Sequence, residues 1–280
     1  MARIEVCSVQ TDVPSVWVEV DEVSDQELSK IYETLATLLE AEAQVSDAVA
    51  KAFQFATELC PDANPSDVWH HVIYRRLLSL KFNDARWKRI SGFALERAFQ
   101  NIYEDRLAEN GLRMRIVDGG ETQRLLEKLG LRGQVRDSKI DMFIERNVSG
   151  TWVVVGGAHV KASLAERIQD DVPASRALMS AGLISIVITL DVKSFPPPHG
   201  NGVNYGELGG RTQSTKSERL KRAYVEIDGQ FDAMFSYNLR TPPSPGTTPS
   251  GKKIFTLALY DEHPDALVAF LAREVKTRFG

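Results

Sequence analysis

The sequence predicts an α/β protein with a mainly helical N-terminal region. Three observations carry this. Before residue 60, apolar residues recur three and four apart, the spacing of one helix face. Residues 139–146 and 151–160 read as two strands joined by a short turn. Residues 163–180 then read as a helix, and 183–191 as a third strand. That helix is too long for a hairpin and suits a crossover between strands of one sheet.

The bulk properties fit this class. The chain has 280 residues, 43% apolar and 26% charged, which suits one large domain or a core with a smaller appendage. We divide it into an accessory region, 1–85, and a core, 86–280. Two cysteines, Cys7 and Cys60, have no metal-ligand spacing and fit a reducing cytoplasm. The N-terminus is too polar for a signal peptide, and the most apolar stretch, 183–190, is far too short to span a bilayer. A net charge of −4 counts against nonspecific nucleic-acid binding but leaves room for a local basic cleft. Residues 75–97 carry seven Lys and Arg against Asp84 and Glu96, and residues 211–222 carry five against Glu218. Each stretch alone reads as a solvated face.

In chain order, residues 3–10 and 16–20 are short strands. Ser24, three residues before Glu27, forms a capping-box pattern that opens a helix with Leu28, Ile31, Leu35, Leu38 and Leu39 on one face. A second helix covers 46–59. The stretch C-P-D-A-N-P-S-D at 60–67 is a rigid loop in which Asn64 or Ser66 caps the next helix, 67–80. His70 and His71 are adjacent there and point about 100° apart on a helix, which does not suit one shared metal. A long helix spans 87–110, with Glu96 at the edge of its apolar stripe. Residues 112–117 form a strand and 121–129 a helix. The glycine-rich loop 195–210 lacks the order of a phosphate-binding loop. Residues 223–227, 230–237 and 254–260 read as strands, and 264–279 as a C-terminal helix.

Chemistry concentrates between residues 138 and 175. Asp141 lies in the first strand of the pair and Lys161 ends the second. An acid and a lysine at the mouth of a strand pair, with one more acid, can hold a divalent metal beside a phosphodiester and activate a water there. The usual pattern is an acid on one strand and acid-x-lysine on the next. Here His159 stands where the second acid belongs. Glu166, Asp170 and Asp171 follow on the helix, and any of them could fill the gap. A rival acid-x-lysine, Asp191-Val192-Lys193, lies beyond the crossover, and adjacent strands favour Lys161.

With these residues in place, the chain resembles type II restriction endonucleases that recognise sites with a CCGG core, in particular the AgeI and BsaWI branch. The resemblance rests on S-K-I-D at 138–141, H-V-K-A-S-L-A-E-R at 159–167, D-D-V-P-A-S at 170–175 and D-V-K-S-F-P-P-P-H-G at 191–200. The segments C-P-D-A-N-P-S-D-V-W-H-H at 60–71 and Y-N-L-R-T-P-P-S at 237–244 share it. It covers most of the chain after about residue 45.

The resemblance implies a PD-(D/E)XK nuclease core in 86–280, a mixed sheet flanked by helices. It implies that the second acid has moved from the strand to the following helix, as Asp171 with Asp170 as the alternative, and that Glu96 joins the site. Asp141 and Asp171 would bind Mg²⁺, and Lys161 would orient or activate the attacking water. Ile140 stands where the family pattern has proline.

The resemblance also implies that Glu166 and Arg167 read the inner CCGG, since arginine donates to guanine O6 and N7 and a carboxylate accepts from cytosine N4. Candidates for the outer pair are Asn64, Ser66, Asp67, Lys88, Arg89 and Arg240. The implied product is a double-strand cut with 5′ overhangs at a six-base palindrome, of which ACCGGT is one form. A palindrome calls for two subunits on the duplex, and such enzymes come with a protecting DNA methyltransferase. Two rivals stand beside this reading: a repair or recombination nuclease with the same core, and a DNA-binding protein whose site has decayed at His159.

Overall fold

The computed structural model describes residues 1–6, 16–80, 84–136, 139–164, 167–193, 203–209, 216–260 and 265–280; for 6, 16, 84–89, 167 and 216–219 only the backbone is described. The chain opens with strands β1 (Ala2–Val6) and β2 (Val16–Val20), paired antiparallel. Helix α1 (Asp25–Ala41) begins as expected. The Ser24 hydroxyl accepts the Glu27 backbone N–H at 3.2 Å, and the Glu27 carboxylate accepts the Ser24 N–H at 2.8 Å. Helix α2 (Val45–Leu59) follows.

Asn64 caps the next helical segment by accepting the Ser66 N–H at 3.2 Å, with Pro65 at the first helical position. That segment differs from the regular helix expected. A short α3 (Pro65–Asp67) leads into a π-helical stretch, Val68–Tyr74, and then α4 (Arg75–Ser79). The π-helical stretch buries Trp69, Val72 and Ile73, with the Trp69 ring edge-on to Phe53 at 5.0 Å. The His70 and His71 rings touch edge-on at 5.1 Å, and burial drives the His70 imidazole well below its ordinary pKa.

Helix α5 (Asp84–Ala108) then crosses to the sheet, whose strands are β3 (Leu112–Arg115), β4 (Met142–Val148), β5 (Thr151–Lys161), β6 (Ile184–Thr189), β7 (Ala233–Ser236) and β8 (Lys253–Thr256). They lie in chain order, antiparallel from β3 to β5 and parallel from β5 to β8. The sheet is therefore mixed. Helices α6 (Gly119–Lys128), α7 (Arg167–Ser180), α8 (Lys216–Glu226) and α9 (Ala266–Phe279) complete the fold. Helix α7 is the crossover between β5 and β6.

Alternating strand residues divide the interior. Met142, Ile144, Val160, Ile186 and Ile188 share a core with α1, α2, α5 and α9 on one face. On the other face, Val187 and Met234 pack with Ile168 and Val172 of α7 and Val225 of α8, while Phe143 packs with Ala174 and Leu178 of α7 and with Leu126 of α6. Gly156 lets β6 approach β5, since a Cβ there would lie 2.4 Å from the Ile184 carbonyl oxygen.

The strand expected at 223–227 is a correction: residues 223–226 close helix α8, and Ile227 lies in the turn after it. Five residues showed an alternating pattern, but the longer window has helical spacing, and Arg222 pairs with Glu226 one turn on at 2.6 Å.

Candidate active site

Strands β4 and β5 are joined by Ser149 and Gly150, both with positive φ (51° and 85°), as the tightest right-twisted hairpins require. Antiparallel pairing sets the start of β4 beside the end of β5. Asp141, just before β4, therefore meets Val160 and Lys161. Its Oδ2 accepts the Val160 backbone N–H at 2.7 Å and the Lys161 ammonium at 2.6 Å.

Lys161 shares a sheet face with His159 by alternation, and α7 packs across that face. This brings in Asp171, whose Oδ2 lies 3.4 Å from Lys161 Nζ. Its other oxygen lies 3.5 Å from Lys139 Nζ. Three groups thus converge from two strand ends and one helix, with side chains 14%, 16% and 5% exposed for Asp141, Lys161 and Asp171. Asp170 points outward, 68% exposed, and meets only the fringe of Lys139 at 3.9 Å. Of the two acids named for this place, the fold turns Asp171 inward.

His159 does not reach into the site. It is fully buried, its ring edge-on to Phe231 at 5.6 Å and its Nε2 3.4 Å from Ser185 Oγ. Burial pushes its pKa down, while the Asp171 and Asp141 charges pull the other way; the net shift is downward. It fills the space behind Lys161 as a neutral ring.

Burial also works to lower Lys161, but Asp141 and Asp171 outweigh it and hold the ammonium above its ordinary pKa. Glu96, half-buried on α5, feels the same cluster. Burial and then the Asp141 charge push its carboxyl up to about 8, against the pull of Lys161 and Arg97.

The remaining sequence candidates are placed as follows. Glu166 lies outside the described residues, and Arg167 opens α7 with its side chain outside them. Lys88 and Arg89 lie on α5, again as backbone only. Asn64 and Ser66 are buried and turned toward the protein. Asn64 donates to Asn238 Oδ1 at 3.0 Å and accepts the Leu239 N–H at 3.2 Å, while Ser66 accepts from Asn204 at 2.6 Å. Asp67 holds Arg240 at 2.5 Å; burial raises its pKa against the pull of that guanidinium. Asp67 and Arg240 open onto a cleft of about 310 Å³ that Trp17, Glu19, Asp21 and Val203 also line.

The rival Asp191-Val192-Lys193 is committed elsewhere. Asp191 is fully buried just past the end of β6. One carboxylate oxygen accepts the Glu207 and Leu208 N–H groups at 2.6 and 3.2 Å, and the other accepts the Thr241 hydroxyl at 2.6 Å. Its backbone takes a φ of +47°, in the left-handed region that Asp tolerates. Gly206 fits against it only without a Cβ, which would sit 2.1 Å from Oδ2.

Sequence reasoning missed Lys139. Its place within S-K-I-D, two residues before Asp141, is the only signal the sequence offers.

No family model matches this chain. It is 45% identical over 268 residues to the type II restriction enzyme AgeI of Thalassovita gelatinovora, covering 91% of this chain and 95% of that enzyme. The crystal structure of a specific AgeI–DNA complex superposes with a TM-score of 0.88 at 39% identity, over 98% of this chain and 99% of that one. A pre-specific BsaWI–DNA complex aligns at a TM-score of 0.47 and 15% identity, over 89% of this chain and 93% of that one. Its likeness in sequence and fold to AgeI, over nearly the whole chain, makes this protein a member of the type II restriction endonucleases: a site-specific deoxyribonuclease with a PD-(D/E)XK core and a helical N-terminal region.

Proposed function

We propose that this endonuclease makes Mg²⁺-dependent double-strand cuts, leaving 5′ overhangs, at a palindrome with a CCGG core, ACCGGT being the form we assign. The observation that carries the reading is the convergence of Asp141, Lys161 and Asp171 from two strand ends and a helix.

Asp141 and Asp171 are the metal ligands in this reading. Among the described residues no three His, Cys, Asp or Glu side chains form a ready cage. Two hard carboxylates suit Mg²⁺ all the same, because that ion keeps several waters and shares its shell with substrate phosphate. When bound, it polarises the phosphate and lowers the pKa of a water. Lys161, held protonated by two carboxylates, orients the attacking water and stabilises developing negative charge. Glu96 supports the ligand set once it has lost its proton.

Arg167 opens the helix that carries Asp171 and Glu166 precedes it in the sequence, so the reading of C and G is coupled to the site that cuts. Asp67, Lys88, Arg89 and Arg240 contribute to the outer pair. Asn64 and Ser66, taken up by Asn238 and Asn204, serve by bracing that loop. Residues 1–85 act as the accessory region on the 86–280 nuclease core. Two copies act on the twofold duplex, one per strand. A cognate methyltransferase protects host sites, and the enzyme works in the cytoplasm.

The test is incubation with Mg²⁺ and plasmids that carry or lack ACCGGT. Discrete fragments ending in 5′ extensions at that sequence support the reading. Cutting at every CCGG narrows the site to the core, and uniform degradation returns the repair-nuclease alternative.

A further inference from the structure

Asp171 is unusual among the site groups because both of its oxygens face cations. Lys161 takes Oδ2 at 3.4 Å and Lys139 takes Oδ1 at 3.5 Å. A carboxylate supplied by a strand is aimed by the ladder itself, since the pleat fixes which way the side chain points. One supplied by a helix has no such guide. Its two oxygens exchange by rotation about χ2, a broad torsion with little intrinsic preference.

From this bracing we propose that Lys139 is a positioning residue. It pins the outer oxygen of Asp171 so that the inner one is offered, with the Asp141 carboxylate, to the metal. The inference rests on Asp141 and Asp171 as the ligand pair. Lys139 suits the task by its own placement. Its N–H is tied to the Arg136 carbonyl at 3.0 Å, Ile140 beside it is buried, and its side chain is 27% exposed at the rim. It thus approaches Asp171 from the side opposite Lys161.

Charge and position predict opposite signs, which makes the proposal testable. A cation 3.5 Å from a metal ligand repels the metal, so if Lys139 acts by charge alone its removal tightens metal binding. If it aims the carboxylate, its removal weakens binding despite the lost repulsion. Loss of groups that orient metal ligands commonly costs about tenfold or more in affinity.

The experiment is calorimetric titration of the DNA-free full chain with Mg²⁺, beside thermal melting to verify folding. Lys139→Ala should weaken Mg²⁺ binding by about tenfold, and Lys139→Arg, which keeps a donor there, should restore it. In cleavage assays the same loss should appear as a raised Mg²⁺ half-saturation, with the rate at saturating metal largely retained. Unchanged or tighter Mg²⁺ binding in a folded Lys139→Ala variant overturns the proposal. Should Lys139→Ala melt early, Lys139→Met keeps the apolar stem and is titrated in its place. Asp171→Asn separates the two levels: if it binds Mg²⁺ like the wild type, the ligand assignment itself fails, whatever Lys139 does.

Discussion

Two acid–lysine sets lie at the ends of neighbouring strands, and the fold uses them in opposite ways. At the end of β5, Asp141 and Asp171 present oxygens to one partly exposed ammonium, Lys161. At the end of β6, Asp191 is sealed, with two backbone N–H groups and a threonine hydroxyl on its oxygens. The literal acid-x-lysine motif is the second; the group we propose as the metal site is the first. What separates them is the donor set. Ammonium donors, which face both Asp171 oxygens and share Asp141 Oδ2 with the Val160 amide, can give way to an incoming metal, whereas both Asp191 oxygens are taken by backbone amides and a hydroxyl fixed in the fold. Asp191 fastens the 203–209 segment and Thr241 to the sheet, which makes it a structural latch.

The largest expected effect breaks the first set. Asp141→Ala and Lys161→Ala should each lower cleavage by at least about a thousandfold, more than the loss of a single transition-state donor usually costs at its lower limit. Specific binding to an ACCGGT duplex, measured by gel shift without metal, should persist. Wild-type cleavage by either variant would remove the site assignment.

Breaking the second set should change stability and leave chemistry intact. Asp191→Ala strands three donors in a buried place, a loss of about 3 kcal/mol. Thermal unfolding checks it, and activity per mole of folded enzyme should match the wild type. The pH dependence has a definite sign. Burial, against the pull of Thr241 and the backbone amides, raises the Asp191 carboxyl from 3.8 to about 6. The folded state therefore binds this proton more tightly than the unfolded chain does. The contribution of Asp191 to stability is greatest below 3.8 and declines as pH rises to about 6. In Asp191→Ala that decline should vanish; an unchanged slope would assign it to other groups.

The contrast also explains what was legible in the sequence. The strand pair and the crossover helix could be read because period-2 and period-3.6 apolar patterns are local. Asp141 and Lys161 could be paired because adjacent antiparallel strands bring their opposite ends together. Asp171 could not be chosen over Asp170 from spacing, since the choice depends on which side of α7 faces the sheet. Pro173 within that helix and its mixed faces obscure the stripe. The resemblance named Asp171, and packing turns it inward. The latch was illegible because its partners, Glu207, Leu208 and Thr241, lie 16 to 50 residues away in loops without pattern. The π-helical stretch at 68–74 departs from the regular helix expected because tertiary packing chose between local helical forms, whereas the strand expected at 223–227 rested on too short a window of a longer helical pattern.

Glu96 sharpens the comparison from the side of the open set. Its carboxyl titrates near 8 because it is buried and shares the field of Asp141. At neutral pH the metal-free enzyme therefore holds a proton there, and metal binding should release it. Apparent Mg²⁺ affinity should rise as pH goes from 7 through 8 and then level off. Glu96→Gln should bind Mg²⁺ more weakly and flatten that rise. Calorimetry in buffers of different ionisation enthalpy counts the proton directly. No proton release in the wild type would detach Glu96 from the site.

The smallest expected effect comes from the residue beside the ligand. Asp170 and Asp171 are chemically identical neighbours, yet one is 68% and the other 5% exposed on its side chain. Asp170 touches Lys139 only at 3.9 Å from the solvent side, the kind of contact worth about 0–1 kcal/mol. Asp170→Asn should leave cleavage within about twofold of wild type and Mg²⁺ binding nearly unchanged, while Asp171→Asn should lose both. The pair isolates geometry from chemistry, because charge, side chain and sequence position are as nearly matched as a protein allows. If Asp170→Asn proves the damaging one, α7 must rotate by about 100° when DNA binds, one residue's turn on a helix. Lys139, which lies within reach of both acids, would then be the group they exchange.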